Sequence, residues 1–257
     1  MKSLKESILG STNTGKQKVL KEKIEKWCKK YKPFNGFYKI NSNNEIETTK
    51  GNEIMGNDLI LEYIDYDELP EYIQFAENEF LKIYIGGEYN KRTITRNIKS
   101  FRGLPKICKD FYFWNCYIKK LPKLEIKLNH CLIKAEIGEI EEMHLDFYSS
   151  KSAYDCELAI KKDIGKSFKN IYVKNVKVIN IVNDFYFGDE FSKAIARKAP
   201  MNKYRNKYEF PVTEEGLKVI NTFFGKTIDI SNLEEIQYTQ NSKLVKRNGL
   251  WYRCKNW

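Results

Sequence analysis

The chain has 257 residues, 42% of them hydrophobic and 14% aromatic, and a net charge of +11. That content excludes a disordered chain and suffices to bury the core of one elongated domain or two small ones. No apolar run approaches the ~18 residues of a membrane span, and no apolar stretch of a secretory signal follows the first lysines; the expectation is a cytoplasmic protein with no membrane partner.

The charge is uneven. Residues 1–33 hold ten Lys and three Glu, residues 34–182 hold 22 basic and 22 acidic side chains, and residues 183–257 hold 13 basic and nine acidic. Basic ends around a neutral middle place any attraction to nucleic acid at the ends. The six cysteines, at 28, 108, 116, 131, 156 and 254, have neither tight pairing nor the spacing of a zinc site, which suits buried thiols in a reducing compartment.

In chain order, Gly10–Gln17 comes close to a phosphate-binding loop, G-x-x-x-x-G-K-[ST]. Gln17 stands where the magnesium-binding hydroxyl belongs and no strand precedes it, so the stretch is expected to be a linker that caps the following helix, with no nucleotide cofactor. The spacing of Val19, Leu20, Ile24, Trp27, Cys28 and Tyr31 predicts a helix over Lys16–Tyr31, stopped by Pro33, with its apolar stripe buried and Lys and Glu opposite. Residues 34–57 predict a hairpin around Asn41–Asn44, and Asp58–Ser100 predicts two or three strands, including Leu81–Ile85. Glu62–Glu68 carries four carboxylates but lacks the ligand spacing of a calcium loop, and is expected to be a solvated rim.

From Leu104 to Ile133 one pattern occurs twice. Phe111, Phe113, Cys116 and Ile118 take the same relative positions as Ile126, Leu128, Cys131 and Ile133, 15 residues later. Alternation over three residues makes a short strand with one buried face, and a small Cys or Asn then fits beneath the turn that leaves it. This is the core of a leucine-rich repeat, L-x-x-L-x-L-x-x-N/C-x-L, and looser copies follow at Met143–Tyr148 and Ile171–Val178 and precede at Leu59–Ile64. Over these residues and the N-terminal helix the chain resembles leucine-rich-repeat proteins, in particular the degenerate repeat proteins of bacteriophages. The resemblance implies an irregular solenoid of short parallel strands and a non-enzymatic protein, phage-encoded, that binds a host protein such as a defence factor; it carries over no catalytic residue. The expected fold is α+β in three sections: residues 1–57 as a basic helix and hairpin cap, 58–182 as the solenoid, and 183–257 as an α+β cap or small domain.

In such a stack the same register that buries Phe111, Ile126, Cys116 and Cys131 would display the alternate positions together. Phe111 is expected beside Ile126, and Cys116 above Cys131. The candidate partner-binding face is therefore Tyr112, Trp114 and Asn115, then Lys127, Asn129 and His130, then His144 and Asp146, then Tyr172 and Lys174. His130 and His144 are the chain's two histidines, but they lack a metal-ligand spacing and are read as contact residues, with no metal and no small-molecule substrate.

Beyond residue 183, Glu190–Arg197 predicts a short helix. Lys203, Tyr204, Arg205, Lys207 and Tyr208 mix cations with aromatics, as phosphate contact and base stacking require, and make a nucleic-acid partner the second expectation. Thr213 is placed to cap a helix carrying Leu217, Ile220 and Phe224, with Gly225 as its stop. Asn248-Gly249 sets a type I′ hairpin between Leu244 and Arg253.

Overall fold

The computed structural model describes residues 4–34, 36–48, 58–61, 68–86, 94–148, 156–161, 170–181, 187–198, 209–225 and 227–255. The fold is α+β. Three helices, α1 (Leu4–Tyr31), α2 (Phe187–Lys198) and α3 (Glu214–Phe224), accompany sixteen strands among the described residues. The strands are β1 (Tyr38–Ile40), β2 (Ile46–Thr48), β3 (Asp58–Ile60), β4 (Lys82–Gly86), β5 (Ile94–Arg96), β6 (Asp110–Leu121), β7 (Leu124–Leu128), β8 (His130–Ile140) and β9 (Met143–Phe147). They continue as β10 (Glu157–Ile160), β11 (Ile171–Lys174), β12 (Val178–Asn180), β13 (Glu209–Pro211), β14 (Glu235–Thr239), β15 (Ser242–Arg247) and β16 (Leu250–Lys255).

One sheet runs β3-β4-β6-β8-β10-β12-β14-β15-β16-β13, with β5 alongside the second half of β6; its first seven strands are parallel. A smaller parallel sheet runs β7-β9-β11 and is prolonged by bridges from Ile107 to Lys127 and from Val173 to Ile228. From β6 to β12 the chain visits the two sheets in turn. Burial alternates strictly on the small sheet, and its buried positions share one apolar core with those of the large sheet. Phe111, Phe113, Cys131, Ile133 and Leu158 come from the large sheet, and Ile126, Leu145, Phe147 and Val173 from the small one, each 4% exposed or less. Parallel strands covered on their inner face in this way gain roughly 2 kcal/mol for each large side chain removed from water.

This arrangement corrects the expected stacking. Ile126 pairs with Leu145 on the small sheet, while Phe111 pairs with Cys131 and Cys116 with Ile94 on the large one. The first half of the 15-residue echo, Phe111 and Phe113 to Ile126 and Leu128, links β6 to β7 across the core, whereas its second half, Cys131 and Ile133, lies on β8 of the same sheet as Cys116 and Ile118. Pairing within a sheet joins Asp110 to His130 and Leu124 to Met143, spacings of 20 and 19 residues. Both cysteines are nonetheless fully buried.

The ends are built from local signals. In α1, Ile24, Trp27 and Cys28 are buried, Trp27 meets Phe75 edge-on at 6.3 Å, and the helix covers the β3 end of the core. Lys32, at φ 45°, closes α1 by donating its amide to the Cys28 carbonyl. The helix continues through Gly10–Gln17, so the expected linker is helical and no strand–loop–helix phosphate site forms there. The hairpin β1–β2 turns at Asn44, φ 61°, and Asn41 Oδ1 accepts the amides of Asn43 and Glu45. At the other end Thr213 Oγ1 accepts the Gly216 amide, α3 stops at Gly225, and Asn248 and Gly249 take φ 51° and 78° in the β15–β16 turn. Phe191 of α2 packs on Phe223, Phe224 and Tyr238, and Arg253 Nε donates to the Tyr238 hydroxyl beneath them.

Candidate functional site

On the large sheet, alternation turns Phe111, Phe113, Cys131 and Ile133 inward and therefore turns Asp110, Tyr112, Trp114, His130 and Lys134 outward. Register then lines these up with neighbours on adjacent strands. One row across the sheet is Asp58–Lys82–Asp110–His130–Glu157, and the next is Ile60–Tyr84–Tyr112–Leu132–Ala159. A third pairs Gly86 with Trp114 and Trp114 with Lys134.

The rows interlock. The rings of Tyr84 and Tyr112 stack at 4.6 Å, 11° from parallel, and Tyr112 lies 5.6 Å from the His130 ring. Lys134 Nζ sits 4.2 Å from the centre of the Trp114 ring. The Tyr112 hydroxyl donates to Asp110 Oδ2 at 3.2 Å, and Lys82 Nζ lies 3.9 Å from the same oxygen. His130 Nε2 is 3.7 Å from Glu157, which accepts from Asn180 on the far side. Burial raises Tyr112 well above the usual phenol range, with the Asp110 charge adding to it. Burial also lowers His130, although Glu157 and Asp110 oppose the shift. Asp58 is raised by burial, against the pull of Lys82, and among the described residues its buried Oδ1 has no hydrogen-bond partner. The result is a stacked aromatic platform edged by polar groups held in fixed geometry.

Gly86 makes the platform possible. A Cβ there would fall 1.8 Å from the Trp114 carbonyl oxygen, so only glycine lets β4 run this close to β6.

The ten expected partner-binding residues do not share one face. Tyr112, Trp114 and His130 lie on the outer side of the large sheet. Lys127, His144, Asp146, Tyr172 and Lys174 lie on the outer side of the small sheet, where Lys127–Asp146–Lys174 and Glu125–His144–Tyr172 form two rows. There His144 stacks on Tyr172 at 4.7 Å with Nε2 2.9 Å from Glu142, and Asp146 accepts from Asn175. Lys127 reaches over the Tyr148 ring at 4.8 Å. Asn115 belongs to neither face: with φ 46° it forms the irregularity that shifts the β6–β8 register between Trp114 and Tyr117. Asn129 sits in the turn from β7 to β8. The candidate nucleic-acid residues Lys203, Tyr204, Arg205, Lys207 and Tyr208 lie outside the described residues, as do residues 62–67 of the acidic stretch.

Tyr84, Lys82, Asp110, Lys134 and Glu157 join this face without being among the expected residues. Their signal was present: Tyr84 and Lys82 are the alternate positions of Leu81–Ile85, and Glu157 is the gap between Cys156 and Leu158. Beside β7 a cleft of about 520 Å³ is walled by Glu45, Glu77, Glu125, Arg102, Lys106 and Lys123. Its charges hold the chain together: Glu77 accepts the amides of Lys106 and Ile107, and Lys123 bridges Glu125 and Glu142. Among the described residues no three His, Cys, Asp or Glu side chains converge as metal ligands, and no helix is long and apolar enough to cross a membrane.

Comparison of the chain with protein-family models, with curated proteins and with solved structures finds no match.

Proposed function

We propose that the chain is a non-enzymatic binding protein that grips a protein partner with the outer face of its large sheet, anchored on Tyr84, Tyr112 and Trp114. In this reading the two sheets are the walls of an irregular solenoid, with one strand of each wall in a turn. The observation that carries it is the parallel Tyr84–Tyr112 stack on a pre-ordered sheet, set beside Trp114 and edged by Asp110, His130 and Glu157. Aromatic side chains ordered before binding lose little freedom on association and supply most of the energy of protein contacts. The phage resemblance makes a host protein, such as a defence factor, the natural partner, and occlusion of that partner by a rigid face the mechanism.

The test is comparative capture from host lysate with tagged wild type, Tyr84→Ala and Tyr172→Ala, followed by affinity measurement on the purified partner. Tyr84→Ala is expected to weaken binding by about 2 kcal/mol, the range of an aromatic anchor, and Tyr172→Ala to leave it unchanged. The reverse result assigns the interface to the small sheet. Equal capture by all three removes both faces from the interface.

A further inference from the structure

Ile24, Trp27 and Cys28 of the apolar stripe of α1 are buried against the core, Leu20 and Tyr31 are partly buried, and Val19, expected to be buried, is exposed. The opposite side is coated with lysine. Lys23, Lys26 and Lys30 follow at helical spacings of three and four, Lys18 and Lys29 lie beside them, and all five are exposed. At 1.5 Å per residue they cover about 18 Å of a straight rod. Between residues 16 and 32 eight lysines outnumber Glu22 and Glu25, and the exposed Glu22 lies within the lysine side, four residues from Lys18 and from Lys26. Val19, 53% exposed, is the one large apolar side chain open on α1 among the described residues.

We propose that this lysine-covered side of α1 is a nucleic-acid-binding surface, which takes the phosphate backbone of a duplex without reading its sequence. Three observations separate this from the alternatives. A protein interface needs an apolar centre and is depleted of lysine, whereas this side has the reverse composition. A membrane-surface helix needs a long free apolar stripe, and here Ile24, Trp27 and Cys28 are in the core, which leaves Val19 as the one open large apolar side chain among the described residues of α1. The cations are all lysine, compact charges on flexible stems that follow a row of phosphates and do not impose the fixed fork by which arginine recognises a base edge. The surface is separate from the Tyr84–Tyr112 platform, so either can fail without the other.

The experiment is fluorescence anisotropy of the full chain with two 20-base-pair duplexes of unrelated sequence, from 50 to 200 mM NaCl. The comparison is a Lys23→Gln, Lys26→Gln, Lys30→Gln variant. Five phosphate contacts give a log–log salt slope of about −4.5, an affinity loss of about 500-fold over that range. Removing three contacts leaves a slope of about −1.8 and a loss of about 12-fold. Equal affinity for both duplexes and an unchanged thermal unfolding midpoint of the variant complete the expected result. No binding at 50 mM, a slope that the variant does not change, or polyglutamate or phosphatidylserine vesicles competing as well as duplex at equal charge would overturn the assignment.

Discussion

His130 stands between two carboxylates, Asp110 and Glu157, yet burial keeps its imidazole easier to deprotonate than usual. A base whose folded-state pKa is depressed takes up its proton first in the unfolded chain. Its neutral form therefore costs nothing above the ordinary histidine value of ~6.5, and stability is lost as pH falls below that value. The thermal midpoint of the wild type should fall between about pH 7.5 and pH 5.5, and His130→Gln should reduce that fall. An identical fall in both proteins would place the titration elsewhere. Alternation in the sequence predicts Trp114 as an open contact residue; it faces outward, but it is half-buried beneath Lys134. Trp114→Ala should therefore lower stability by about 1 kcal/mol even on the outer face, seen as a shifted midpoint in urea. Alternation gives the direction of a side chain, whereas its burial depends on what the next strand lays over it.

The elements that the sequence announced are those whose signals are local. The Thr213 cap, the Gly225 stop and the Asn248-Gly249 turn each act within a few residues, and each stands where it was expected. The strands of the middle region were also legible, but which sheet they join was not. An apolar-x-apolar pattern looks the same in either wall, because both bury one face against the same core. The turn at Leu121–Lys123, which carries the chain across, leaves no mark in the spacing. The 12-residue length of β6 was hidden too, since its bulge at Asn115 resets the alternation midway. The closest strand contact in the site yields a sharp expectation. Gly86→Ala would drive a methyl group into the Trp114 backbone. It should destabilise by more than ~3 kcal/mol, compared with about 1 kcal/mol for Thr213→Ala, both measured by denaturant unfolding. A Gly86→Ala protein as stable as wild type would mean that β4 and β6 are not paired at Trp114.

Across the whole molecule, six buried thiols run from α1 to β16. Burial pushes Cys28 up to about 11 and Cys131 up to about 12, so neither is ionised near neutral pH. Modification by a thiol reagent, followed by mass spectrometry, should therefore wait on local opening. Cys28 and Cys254 should react first at the two ends, and Cys131 last, in mid-sheet. Early loss of Cys131 would show that the centre opens before the ends. The strand order of the large sheet has one more consequence. From β3 to β16 each strand of its main path lies beside the one laid down before it on that path, and only β13 must wait for a later partner, β16. Apart from β13, each later strand of that path leaves the ribosome to meet an edge that already exists. Synthesis and folding can then proceed at the same pace, and β16, once made, captures β13.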